Sequence, residues 1–285
     1  MKWCMESSLR NRIGIDLGTE MTIKKSIEWA MNNDVKYIDV CLDEHLSDPP
    51  ENFSRDKDWI IEKCNKHDIS LGLHTVSSVN VASTAPYVSE GVDNYLQAYL
   101  EVGESINADR MIIHGGYHFG DDGKILDNSL DTHGRRTSAS IERISRLANS
   151  VSESGPTLLL ENLFREPDID GLKYIPVTLD ECKTYFEALE SQGVRWCFNP
   201  PHSRLFPEGM DGYFESLGVD LTDQVRINDN NGTIEEHLIP GEGTIDFETL
   251  FEMIESEGYE GHYMLKFGTI DDMLEGREYL IDKLI

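Results

Sequence analysis

Eight short runs of apolar and β-branched residues recur along the chain, and all but one of the gaps between them hold a stretch with helical apolar spacing. That alternation narrows the fold more than any other feature. The runs are Arg12–Gly18, Val35–Leu42, Ile69–Thr75, Arg110–Gly115, Thr157–Asn162, Val194–Asn199, Gln224–Asp229 and His262–Phe267. Between and after them, Thr22–Asn33 carries Ile23, Ile27, Ala30 and Met31 on one helical face. Trp59–His67, Val92–Ile106, Thr137–Ser152, Leu179–Ser191, Phe247–Glu257 and Asp271–Leu284 repeat the pattern. The segment Arg204–Asp220 reads as short and irregular. No Pro/Gly/Ser-rich linker interrupts the series, so the 285 residues are expected to form a single domain, a (β/α)8 TIM barrel.

The charge balance limits the partners. Acidic residues number 53 against 25 basic, a formal net charge of -28. A surface so acidic repels phosphates, and a nucleic acid partner is disfavoured. Such a surface suits a salt-rich cytoplasm, where screening removes self-repulsion; an ordinary acidic cytosolic protein fits the composition as well. The five cysteines are widely spaced and form no CxxC, which predicts reduced thiols. No apolar run is long enough to span a bilayer, and MKWCMESSLRNR lacks the apolar run expected of a signal peptide. A cytoplasmic protein with no membrane partner is expected.

In such a barrel, chemistry sits at the C-terminal ends of the strands. Polar residues gather there: His74, His114, Glu161 with Asn162, Asn199 and His202, then Arg226, Asn228, Asp229 and Asn230, and Lys266. The seventh loop adds Glu235, His237 and Glu242. One histidine at a strand end is usually a hydrogen-bonded core residue. Four of them converging with a glutamate on one rim point to a site. Glu161 follows three leucines, and a carboxylate there is costly unless paired or ligated; it should face the barrel mouth. His118, His133 and His262 lack this context and read as surface or loop residues, and the acid-rich run Asp43–Asp48 as a solvated loop.

LGLHT, MIIHGG, LLLEN, NPPH and INDNNGTIEEHLIPGEGTIDF, in this order, resemble the xylose isomerase-like TIM barrels. That superfamily includes sugar isomerases and epimerases, inosose dehydratases and three-zinc apurinic endonucleases. The piece EEHLIPGEGTIDF is similar to the family's D-x-H-x-x-x-G-x-G-x-I/L-D-F/W loop. The resemblance implies a divalent metal held by Glu, Asp, His and Glu at strands five to eight. Here Glu161 stands at the first position, but Asn199, Arg226 and Lys266 occupy the others. Protonated Arg and Lys cannot ligate, so the usual isomerase site is expected to be lost. The endonuclease branch implies two further groups: His74, His114 and Glu161, and His202, Glu235 and His237, with Glu for Asp. Either could take zinc or manganese.

Three functions follow from this reading. In the first, an enzyme of the isomerase, epimerase or lyase type moves a proton on a small polyhydroxy carbonyl compound. Glu161 is its base, and Arg226 and Lys266 face Glu161 and stabilise an oxyanion or bind an anionic substrate. A desolvated Lys266 beside Arg226 would also suit acid–base or Schiff-base chemistry. His202, His237, Asn199, Asn228 and Glu242 bind substrate. The second is a metal-dependent apurinic endonuclease-like hydrolase. The third is a non-catalytic ligand-binding barrel in which the charged residues form an ion-paired plug. Relatives form homo-oligomers, but nothing here fixes a number. The loop Gly116–Arg135 is long enough for a lid.

Overall fold

The structure, a computed structural model, describes residues 9–43, 50–118, 130–165 and 174–284. Within these, eight parallel strands close on one another in chain order. They are β1 (Ile13–Gly18), β2 (Tyr37–Val40), β3 (Ser70–His74), β4 (Arg110–Ile113), β5 (Thr157–Glu161), β6 (Arg195–Phe198), β7 (Thr222–Ile227) and β8 (His262–Leu265). The barrel predicted from the alternation is therefore present; seven of the predicted strands contain the observed one, and β7 starts at Thr222, two residues before the predicted Gln224.

The helices are α1 (Ile23–Asn33), α2 (Pro50–His67), α3 (Pro86–Ile106), α4 (Leu130–Ser150), α5 (Leu179–Leu189), α6 (Pro200–Ser203), α7 (Gly209–Leu217), α8 (Phe247–Ser256) and α9 (Ile270–Leu284). Their starts follow local chemistry. Thr22 and Asp246 cap α1 and α8 through their side-chain oxygens, and Thr178 with Glu181 forms a reciprocal capping box on α5. Helix α3 begins at Pro86, upstream of the predicted Val92, because proline is pre-set for a first helical position. The segment read as irregular contains α7, whose buried face is only Tyr213 and Phe214, too sparse a stripe to register as periodic.

Strand alternation divides two interiors. Ile13, Ile15, Ile38, Val40, Leu71, Leu73, Met111, Ile113, Leu158, Leu160, Trp196, Phe198, Val225 and Ile227 join the main core with buried helix residues such as Ile27, Leu96, Tyr185 and Leu280. The other parity lines the barrel lumen, and the lumen is split. Ile112, Leu159 and Cys197, from β4 to β6, form a small apolar cluster separate from the main core. Across from it lies a buried polar network. Gln224 donates to Asp39 at 2.9 Å, Arg110 donates to Gln224 at 3.1 Å, and Arg110 pairs with Asp39 at 2.8 Å. These bonds join strands that are not neighbours, so they run through the lumen.

Two histidines depart from expectation. His262 is buried, stacked on Tyr37 with centroids 4.4 Å apart, and lies 3.3 Å from Gln224 Oε1. It opens β8 on the inward parity, so its ring fills the lower lumen. His118 is also buried, beside the bridge that Tyr117 makes to Tyr174. His133 lies outside the residues whose side chains are described. Asp43 is not a solvated loop residue: Tyr99, Cys41 and Tyr95 donate to its Oδ2 at 2.5, 2.9 and 3.1 Å. Residues 44–48 of that acidic run, and much of the loop read as a lid, lie outside the described residues.

Candidate active site

Side chains at the strand ends meet over the lumen around Glu161, which is 3% exposed. Its Oε2 lies 3.3 Å from His114 Nε2 and 3.9 Å from His74 Nε2. The two imidazole nitrogens are 3.3 Å apart. Ligands about 2.0–2.1 Å from a tetrahedral zinc are about 3.3–3.4 Å from one another, so this donor set fits a divalent ion. The fit extends to His74's far nitrogen. An ionised carboxylate only accepts, so Nδ1 donates to Asp16 Oδ2 at 2.9 Å and leaves the Nε2 lone pair facing the group.

The other oxygen of Glu161 serves a second group. Asn199 Nδ2 donates to Glu161 Oε1 at 2.8 Å. Asn162 holds Asn199 there: its Oδ1 accepts the Asn199 amide at 2.8 Å and Trp196 Nε1 at 3.1 Å. Asn199 also caps α6, which carries His202. His202 Nδ1 donates to the Asn162 carbonyl at 2.8 Å, leaving Nε2 as the acceptor, 3.7 Å from Glu235 Oε2. His237 adopts a left-handed φ of 49°, and its Nδ1 lies 3.2 Å from Glu235 Oε1. Both trios, His74–His114–Glu161 and His202–Glu235–His237, place three potential ligand atoms within 4.8 Å of each other.

The cations sit differently from the expectation. Arg226 is buried and lies 3.8 Å from Glu161, but its short contact, 2.5 Å, is to Asp16. Lys266 likewise approaches Asp16, at 3.4 Å. Its side chain is 40% exposed, so the desolvated lysine read from the sequence is corrected: β8 ends at Leu265 and Lys266 emerges at the rim. Burial alone would raise the carboxyls of Asp16 and Glu161. Lys266, Arg226 and His74 outweigh it at Asp16, and Arg226, His114 and His202 at Glu161, holding both well below the ordinary range. Burial pushes His202 down to about 3 and Glu235 up to about 7.

Asn228 is buried with no hydrogen-bond partner for its Oδ1 among the described residues. Glu242 is exposed on the turn after β7. That turn is organised by Asp229 instead. Its Oδ2 accepts the amides of Gly241 and Gly243 at 2.9 and 3.0 Å, and its Oδ1 those of Asn230 and Ile245 at 2.8 and 3.1 Å. A Cβ at Gly243 would lie 2.4 Å from Asp229 Oδ1, so glycine is required there. Asp16 and Asp39 were missed as members of the buried cluster. The signal was available: each is a lone acid on the parity opposite to the apolar residues of its strand.

The family described as xylose isomerase-like TIM barrel matches residues 27–283. An uncharacterized protein of Methanocaldococcus jannaschii, MJ1311, is 22% identical over 86% of this chain and 78% of its own length. Among solved structures, a D-tagatose 3-epimerase-like protein superposes with a TM-score of 0.78, 19% identity and coverage of 96% of this chain and 97% of its own. A D-psicose 3-epimerase from Clostridium cellulolyticum H10 gives 0.74, 14%, 96% and 98%.

Proposed function

The chain belongs to the xylose isomerase-like TIM barrel family, and we propose that it is an isomerase or epimerase that moves a proton on a small, sugar-like polyhydroxy carbonyl compound. The observation that carries this reading is Glu161: a buried carboxylate kept ionised at the mouth, held by Asn199 on one oxygen and facing two histidines with the other. It is in the form that accepts a proton. Its cationic neighbours also lower its basicity, so the carbon acid must be activated by an electrophile nearby. Lys266, whose head reaches the rim, is the chain's own cation placed to meet a developing oxyanion or an anionic substituent. Arg226 offers no exposed edge; in this reading it keeps Glu161 ionised. In this reading His202, His237 and Asn228 bind substrate hydroxyls, and Glu242 is an exposed carboxylate on the turn after β7.

His74, His114 and Glu161 would hold a zinc or manganese ion. Bound there, it would supply Lewis-acid polarisation of a carbonyl.

Deuterium uptake from D2O into a panel of sugars, sugar acids and sugar phosphates, followed by proton NMR, tests the reading. Glu161→Gln is expected to lower exchange about 10²–10⁴-fold and Lys266→Met about 10²–10³-fold, with unchanged circular dichroism. Full exchange in Lys266→Met would refute the mechanism.

A second reading has one specific observation behind it. One ligand trio contains Glu161 and the other adjoins it, His202 lying 3.7 Å from that carboxylate, as a hydrolase with more than one metal would need. The net charge of -28 stands against a DNA substrate. Efficient nicking of abasic duplex DNA with zinc or manganese would reverse the ranking.

A further inference from the structure

Asp16 belongs to none of the motifs that drew attention to this site, yet four groups converge on it. It is fully buried near the end of β1. Its Oδ2 accepts from His74 Nδ1 at 2.9 Å and from Arg226 Nη2 at 2.5 Å. Its Oδ1 accepts the Gly18 amide at 2.9 Å and lies 3.4 Å from Lys266 Nζ. These partners come from β3, β7, the residue after β8 and the end of β1 itself. A carboxylate buried only to neutralise Arg226 would need none of the other three.

The bond to His74 has a chemical consequence. A proton held on Nδ1 leaves Nε2 unprotonated, and Nε2 is the atom that faces His114 and Glu161. With the opposite tautomer, a proton would stand in the space shared by the three donors and block any cation there. The same carboxylate also anchors the ammonium of Lys266 beside that space. Gly18 helps keep the anchor open, since a Cβ there would lie 2.9 Å from Lys266 Nζ.

We propose that Asp16 is the positioning residue of this mouth: it fixes His74 in the tautomer that lets His74, His114 and Glu161 take up a divalent cation, and it holds Lys266 at the rim beside them. The proposal rests on the preceding reading of these three residues as part of the reaction site.

The test uses metal-stripped full-length protein titrated calorimetrically with Mn²⁺ and with Zn²⁺, alongside nitrogen-15 NMR of the imidazoles. The wild type is expected to show the His74 proton on Nδ1 and to bind the ion. Asp16→Asn is expected to remain folded, to show a mixed tautomer, and to bind 10–100-fold more weakly, the usual cost of losing such a support. Equal affinity in Asp16→Asn overturns this proposal alone. A wild type that binds neither ion overturns the cation-uptake role here together with the metal assignment above, whereas the deuterium-exchange result stands independently. Should Asp16→Asn fail to fold, the wild-type spectrum still decides: a His74 proton on Nε2 refutes the proposal without any variant.

Discussion

The barrel lumen has two unlike halves. Along β4, β5 and β6 it is closed by Ile112, Leu159 and Cys197, a plug of buried apolar side chains. Opposite them, Asp16, Asp39, Gln224, Arg226 and His262 fill the lumen from its lower end to its mouth with charge and hydrogen bonds, joined by Arg110 from β4. The apolar half is stabilised by removing surface from water, a non-directional effect that tolerates small shifts. The ionic half depends on each group having its partner, because an unpaired buried charge costs far more than a poor packing contact. The polar half leads upward without a break into the candidate site: Arg226 bridges Asp39 below, at 3.7 Å, and Glu161 above, at 3.8 Å. Position at the mouth is thus set from underneath by charge pairing.

The sharpest way to break this comparison is to remove the bridge. Arg226→Met leaves Asp16, Asp39 and Glu161 under-compensated, and is expected to cost about 3–5 kcal/mol in urea unfolding, partly restored by Asp16→Asn in the same chain. A cost under about 1 kcal/mol would show that the network is not the support described. Leu159→Ala on the apolar side is expected to cost about 3 kcal/mol, with no change in cation binding. Loss of cation affinity in that variant would mean that the halves are not separable. The smallest effect is in pH dependence. Burial holds His262 well below its ordinary value, so it stays neutral in the fold while the unfolded chain takes up a proton below about pH 6.5. Its contribution is full above that pH and is lost progressively as pH falls below it towards the depressed folded value. His262→Gln should flatten the acid limb of the stability curve by up to about 1.4 kcal/mol per pH unit; an unchanged slope would contradict it.

The strands were legible because apolar runs such as TLLLE and RMII mark buried parallel strands directly. Glu161 was legible for the same reason, as a charge that such a run would not carry without cause. The partners of Arg226 and Lys266 were not, because pairing across a lumen depends on which residues of non-neighbouring strands share a level, and register is not written in any one segment. Within IGIDLG, Ile13, Ile15 and Leu17 take the outer parity and Gly14, Asp16 and Gly18 the inner. The alternation exposes the acid, but only closure of the barrel shows what it meets. His262 was misread because a strand's first residue can face the lumen as firmly as its last.

The clasp that Asp229 makes on four main-chain amides has a consequence for how this barrel could change over time. The path of the turn after β7 is encoded in one aspartate and two glycines, not in the residues it displays. Glu242, exposed on that turn, could therefore be exchanged for other residues without redrawing the loop, so the rim there could be varied at little cost to folding.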